Sequence, residues 1–149
     1  MEEKFNDILE KDEKITKVFK PNKTKFWWST NLLTIASVIG IPLWPFVWLF
    51  ARIYYKNRFY CYTNKRIIIR GGIIGVDYKS LEFKHLTATI VYVSPLDKIV
   101  RKNTGSIMFG SPSSPIGNPL EKTNPYTFRH VEKPYDVMRE MKESMEDKL

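Results

Sequence analysis

The side chains best suited to nucleophilic or acid–base chemistry are two histidines, one cysteine and a serine cluster, and their neighbours argue against catalysis. His85 falls in an alternating stretch, residues 80–86, and His130 in another, 126–131, so each reads as a partly exposed strand residue rather than a base. Cys61 sits among Phe59, Tyr60 and Tyr62, where a buried, unreactive thiol is the default; as the single cysteine it excludes an internal disulfide. Ser111, Ser113 and Ser114 lack the Gly-x-Ser-x-Gly frame of a nucleophile elbow. There is no phosphate-cradling glycine loop, no dinucleotide fingerprint, no paired carboxylates at a plausible spacing and no Cys/His spacing suited to zinc. The sequence therefore predicts no catalytic residue, no cofactor and no metal.

What remains is binding, and the charge pattern gives it a direction. The chain carries 24 Lys and Arg against 16 Asp and Glu, a formal charge of +8, which draws it toward anionic partners. No charged residue occurs from Trp27 to Ala51, and all four tryptophans, Trp27, Trp28, Trp44 and Trp48, lie in that run. Lys23 and Lys25 precede it; Arg52, Lys56 and Arg58 follow it. About 20 apolar residues suffice to cross a bilayer core, tryptophan prefers the headgroup level, and basic side chains there meet anionic lipid. These tryptophans and cations are the expected membrane interface. Lys65 and Arg66, at a hairpin tip, are the expected contacts for an anionic ligand, with a solvated turn as the plainer reading.

Three stretches would position these groups. Residues 1–25 predict an amphipathic helix over 2–12, with Phe5, Ile8 and Leu9 on one face, then a strand over 14–20 that Pro21 ends. Residues 26–56 are the apolar segment. Gly40, Pro42 and Pro45 interrupt it, so two short helices, about 28–40 and 45–56, are expected around a tip. Basic residues on both flanks favour a hairpin that dips into the bilayer and returns. A single span, supported by the spacing of Trp27 and Trp48, is the competing geometry, and a buried core helix is the plain alternative.

Residues 57–149 turn strongly β. Strands are expected over 57–63 and 66–70, joined at Asn64-Lys65, where Asn tolerates positive φ. Further strands are expected from 73, over 80–86, 87–93, 106–109 and 126–131, with a helical turn over 94–100. Pro112, Pro115, Gly117, Pro119 and Pro125 make 110–125 a loop, and a binding role for 111–125 stays open. Pro134 opens a helix to about 147, with Tyr135, Met138, Met141 and Met145 as its packing stripe. The fold class is mainly β with flanking helices: about seven short strands in an antiparallel barrel or sandwich, capped by the C-terminal helix, with the apolar hairpin after the first strand.

Several short motifs carry a resemblance. Asp12-Glu13-Lys14-Ile15 opens the first strand; Tyr60-x-Tyr62-Thr63-Asn64-Lys65-Arg66-Ile67-Ile68 forms a hairpin followed by Gly71-Gly72. Leu81-x-Phe83-x-x-Leu86 leads to Ile90, Val91 and Val93, and Ser94-Pro95-Leu96-Asp97-Lys98-Ile99 runs on to Gly105-Ser106-Ile107-Met108-Phe109. Over about residues 12–148 this order resembles the bacterial PH-like (pleckstrin-homology-like) domain proteins of the membrane-associated type. The resemblance implies a PH-like barrel on the cytoplasmic side, tethered to the membrane, with no enzymatic chemistry. The function expected is a membrane-anchored adaptor or scaffold, presenting its barrel to a protein partner or to its own copies, with membrane lipid as its companion. The alternative is a basic soluble or peripheral module binding nucleic acid or anionic lipid headgroups, nucleic acid ranking last.

Overall fold

A computed structural model of the chain describes residues 1–37, 42–99, 103–116 and 124–146. Among these residues seven strands form two antiparallel sheets. The first sheet takes β1 (Ile15–Phe19), β2 (Phe59–Thr63), β3 (Arg66–Gly71) and β4 (Asp77–Glu82) in that order. The second takes β5 (Ala88–Tyr92), β6 (Thr104–Gly110) and β7 (Thr127–Glu132). No ladder joins the two sheets among the described residues, so of the expected barrel or sandwich the barrel is corrected: the architecture is two open sheets. Helix α1 (Lys23–Ala36) and helix α2 (Trp44–Asn57) lie between β1 and β2; α3 (Pro95–Ile99) links β5 to β6, and α4 (Pro134–Glu146) ends the described chain.

Strand alternation explains why β2 is buried at all five positions. Successive side chains point to opposite faces. Tyr60 and Tyr62, with Ile67 and Ile69 of β3, face the second sheet and join Ile107, Phe109, Phe128 and Val131 in the main core. Phe59, Cys61 and Ile68 face the other way, where Phe5 of the N-terminal segment, fully buried, covers them. That segment is two short 3-10 turns, Glu2–Lys4 and Asn6–Ile8, rather than one amphipathic helix. Asp12, at φ 70°, turns it into β1.

Its clasp is Glu13, whose carboxylate accepts from Arg66 Nη2 at 2.8 Å, Arg66 Nε at 3.0 Å and Thr63 Oγ1 at 2.6 Å. Burial raises the Glu13 pKa, but these hydrogen bonds and the Arg66 charge outweigh it and hold the carboxyl below its usual value. The β2–β3 turn is held by the Thr63 hydroxyl, which accepts from the Lys65 and Arg66 amides, with no positive φ at Asn64.

Helix α4 closes the open side of the core with Val137, Met138 and Met141, and Met145 packs beside them. Tyr135, expected in that stripe, is 60% exposed. The helix starts hard against β6: a Cβ on Gly105 would lie 2.9 Å from Pro134 Cγ and 3.0 Å from the Tyr92 carbonyl oxygen. Only glycine lets strand and helix approach so closely.

The apolar segment departs most from expectation. Helices α1 and α2 have 14 residues each, about 21 Å at helical rise, against roughly 30 Å of hydrocarbon. No described helix is long and apolar enough to cross a membrane. This corrects the membrane-inserted hairpin, the single-span alternative, and the membrane localisation with a cytoplasmic domain that rested on them. The physical reason lies at the helix bases, which belong to the folded domain. Lys25 is 3% and Phe26 9% exposed, and the Phe26 ring stacks on Tyr54 at 6.0 Å and meets the tilted Tyr55 ring at 5.1 Å. Trp27 meets Trp48 at 5.6 Å, so the helices pair antiparallel. Gly40 and Ile41 of the expected tip lie outside the described residues.

Candidate functional site

The β register lines up a row of residues across the outer face of the first sheet. Phe59 of β2 stands opposite Arg70 of β3, and Arg70 opposite Tyr78 of β4. Phe19 pairs with Tyr60, which brings the next residue, Lys20, beside Phe59. Directly opposed side chains on one face of an antiparallel pair are in contact range. The Lys20 ammonium lies 4.5 Å and the Arg70 guanidinium 5.7 Å from the centre of the Phe59 ring. Lys4 reaches the same ring from the N-terminal turn, at 4.4 Å. That turn is anchored because Tyr78 Oη donates to the Lys4 carbonyl at 2.8 Å and the Phe5 and Tyr78 rings meet at 6.3 Å.

These cations face one another rather than acids. Among the described residues, none of Lys4, Lys20, Lys56 or Arg70 has a carboxylate within 4.0 Å. Burial lowers the Lys20 pKa, and the Lys4 and Lys56 charges lower it further. Cation–π contact offsets part of the repulsion, about 0.5–2 kcal/mol per contact. Arg70 is steered by weak bonds to Tyr78 Oη at 3.3 Å and the Asn57 carbonyl at 3.5 Å. The arrangement gathers positive charge around one apolar ring without neutralising it. Such a cluster suits an anion carrying more than one charge.

The residues expected at a membrane interface are dispersed. Lys56 joins the cluster above. Lys25 is buried in an ion pair with Asp97 at 2.8 Å. The Arg52 guanidinium lies 5.5 Å from the Trp48 ring, and Lys23 is exposed at the start of α1. Trp28, Trp44 and Trp48 are 60%, 48% and 44% exposed, whereas Trp27 is half-buried against Phe26 and Trp48. Arg58 lies under the helix pair, contacting the hydroxyls of Tyr54 and Tyr60. Lys65 and Arg66, the expected anionic-ligand contacts, are engaged within the chain. Arg66 is bound to Glu13 and to the Ile8 carbonyl, and Lys65 to the Lys11 carbonyl with Glu10 nearby at 3.7 Å. The cations missed in the sequence are Lys4, Lys20 and Arg70. Strand registers drawn from 15–19 onto 59–63, and from 59–63 onto 66–70, would have placed Lys20 and Arg70 on either side of Phe59. Nothing in the sequence places Lys4 there.

The reactive side chains are scattered. His85 is exposed, and Cys61 is fully buried, its thiol pushed up to about 12 by burial and then by Glu13 and Glu2. His130, at φ 56°, is pushed down to about 4 by burial and the Lys25 charge, with Asp97 opposing. Among the described residues no group of three or more His, Cys, Asp or Glu could hold a metal ion.

Comparison with known proteins adds a family and a fold. A family model described as "Bacterial PH domain" matches residues 17–145. A crystal structure from Shewanella loihica, of a DUF1696 family protein with a pleckstrin-homology domain, superposes with a TM-score of 0.51 at 10% identity. The match covers 97% of this chain and 92% of that one, and at such low identity it speaks for the fold alone. No curated protein matches.

Proposed function

We propose that this chain, which belongs to the bacterial PH domain family, is a non-enzymatic binding module that takes a multiply charged, phosphate-bearing anion on the cations around Phe59. PH domains commonly bind lipids or proteins. The observation that carries the choice of ligand is the crowding of Lys4, Lys20 and Arg70 at one buried ring, with Lys56 nearby and, among the described residues, no carboxylate within 4.0 Å of any of them. Each cation beside an anionic group contributes about 1 kcal/mol. A bound phosphate would also relieve the repulsion that depresses Lys20.

Calorimetry with pyrophosphate and with a soluble short-chain phosphatidate tests the reading and separates a free phosphate from a lipid headgroup. Replacing both Lys20 and Lys56 with Gln should weaken binding about tenfold or more at low salt, and added salt should weaken the parent protein in the same direction. Affinity indifferent to both changes would defeat the proposal.

The uncovered faces of α1 and α2 favour a second reading, docking of a protein partner or a second copy. Leu33 is 74%, Phe46 62% and Leu49 51% exposed, large apolar side chains of the kind that a partner surface covers. Sedimentation velocity on the purified chain, with and without Leu33→Glu and Phe46→Glu, tests self-association. A monomer in both cases would remove the second copy as the occupant.

A further inference from the structure

A cleft of about 490 Å³ separates the helix pair from the end of the two sheets, on a different face from the Phe59 cluster. Phe26 and Leu33 of α1 and Val47, Phe50 and Ala51 of α2 form its apolar walls. Its floor is polar: Arg58 donates to Tyr60 Oη at 3.3 Å and contacts the Tyr54 hydroxyl. Tyr60 Oη in turn accepts from the Arg129 amide at 2.8 Å. The Arg58 guanidinium has no carboxylate within 4.0 Å among the described residues, and its neighbours are the faces and hydroxyls of those two tyrosines. A charge taken out of water toward an apolar cavity is costly unless an opposite charge meets it.

We infer that the cleft is a binding site for a single-chain amphiphile with one anionic head, its carboxylate on Arg58 and its alkyl chain along the apolar walls that α1 and α2 give the cleft. The volume lies within the range of small-molecule pockets, and the site has their usual make-up of apolar walls and a few convergent polar groups. The guanidinium offers paired N–H donors that match a carboxylate. Neutral hydroxyls around it position the fork without discharging it. The rim supports the direction of the chain: Leu33 and Phe50 are 74% and 49% exposed, so an alkyl chain leaving the cleft continues along apolar surface. Burial disfavours the Arg58 charge, but the two tyrosines more than compensate, so the guanidinium stays protonated at every working pH.

The test is calorimetry on the full chain with dodecanoate, and with dodecanol as the neutral chain of equal length, both below their aggregation limits. Dodecanoate should bind at one site per chain and about ten- to a hundredfold more tightly than dodecanol, the range of a charge-assisted hydrogen bond. Arg58→Gln should erase that preference and leave pyrophosphate binding at the Phe59 cluster intact. Ala51→Trp, which fills the cleft from a half-buried wall position and leaves its floor untouched, should abolish dodecanoate binding. Equal affinity for acid and alcohol, binding at many equivalent sites, or full dodecanoate binding by Ala51→Trp would overturn the assignment. Should Arg58→Gln not fold, the Ala51→Trp comparison decides alone.

Discussion

Changing Lys25 to Met removes the ammonium from a deeply buried ion pair and strands its partner. The Lys25 and Asp97 side chains are 4% and 7% exposed, and they tie the first turn of α1 to α3, far apart in sequence. Breaking a buried pair by deleting one member typically costs about 3–5 kcal/mol, because the other charge stays buried. Asp97 would keep the Ser94 amide at 2.9 Å and Thr104 Oγ1 at 2.6 Å, which places the cost near the low end, about 3 kcal/mol. For a domain of this size that corresponds to a fall in Tm of about 6–12 °C.

The pH dependence follows from Asp97. Burial raises its pKa, but the hydrogen bonds from Lys25, Thr104 and Ser94 outweigh that and hold it below 3.8. A carboxyl depressed in the folded state contributes stability that is complete above the unfolded value and lost as pH falls through the folded one. Urea denaturation of parent and Lys25→Met proteins should therefore differ most near neutrality and converge in acid. The double variant Lys25→Met, Asp97→Asn should recover most of the loss. A single variant costing under about 1 kcal/mol, or a double variant no better than the single, would refute the pairing argument.

Two further outcomes are expected. Phe5→Ala should loosen the N-terminal segment by about 3 kcal/mol and speed labelling of Cys61 by a thiol reagent about a hundredfold; unchanged labelling would mean that Phe5 does not seal that face. His130 sits at about 4 in the folded chain against 6.5 as a free side chain, so between those values the unfolded chain binds a proton the native one refuses. Stability should thus fall on acidification through that window by about 3 kcal/mol, and His130→Phe should flatten that slope; an equal slope in both proteins would count against it.

The legible parts of the fold were those with a local signature. The aromatic alternation of residues 59–63 and the isoleucine run after Arg66 announced β2 and β3, and Pro134 announced α4. Elements set by distant contacts carry no such local signature. Residues 73–76 looked like the start of a strand because Ile73, Ile74 and Val76 are apolar, yet they form an exposed turn after Gly72, at φ 121°, and β4 begins only at Asp77. The alternation over 80–86 ends at Glu82, where Phe83–His85 curls into a 3-10 turn. Lys25 read as a headgroup cation because Asp97, its counter-charge, belongs to another element altogether. The charge around the insertion was visible as composition, and Lys56 survived from it into the candidate site. Lys4 was not visible, since its place depends on the N-terminal segment folding across the sheet.

The helix pair leaves the sheet at the end of β1 and rejoins it at β2, strands that are already neighbours, with Phe19 and Tyr60 in register. Residues 20–58 are thus an enlarged hairpin loop, and only its two ends are constrained by the ladder. Loop-closure entropy grows so slowly with length that these 39 residues cost only about 2 kcal/mol more than a four-residue turn. The tips of α1 and α2 can therefore change in length or chemistry without disturbing strand order, whereas Lys20, Phe59 and Arg70 answer to the register and cannot drift. Evolution can retool the attachment while the scaffold keeps its wiring.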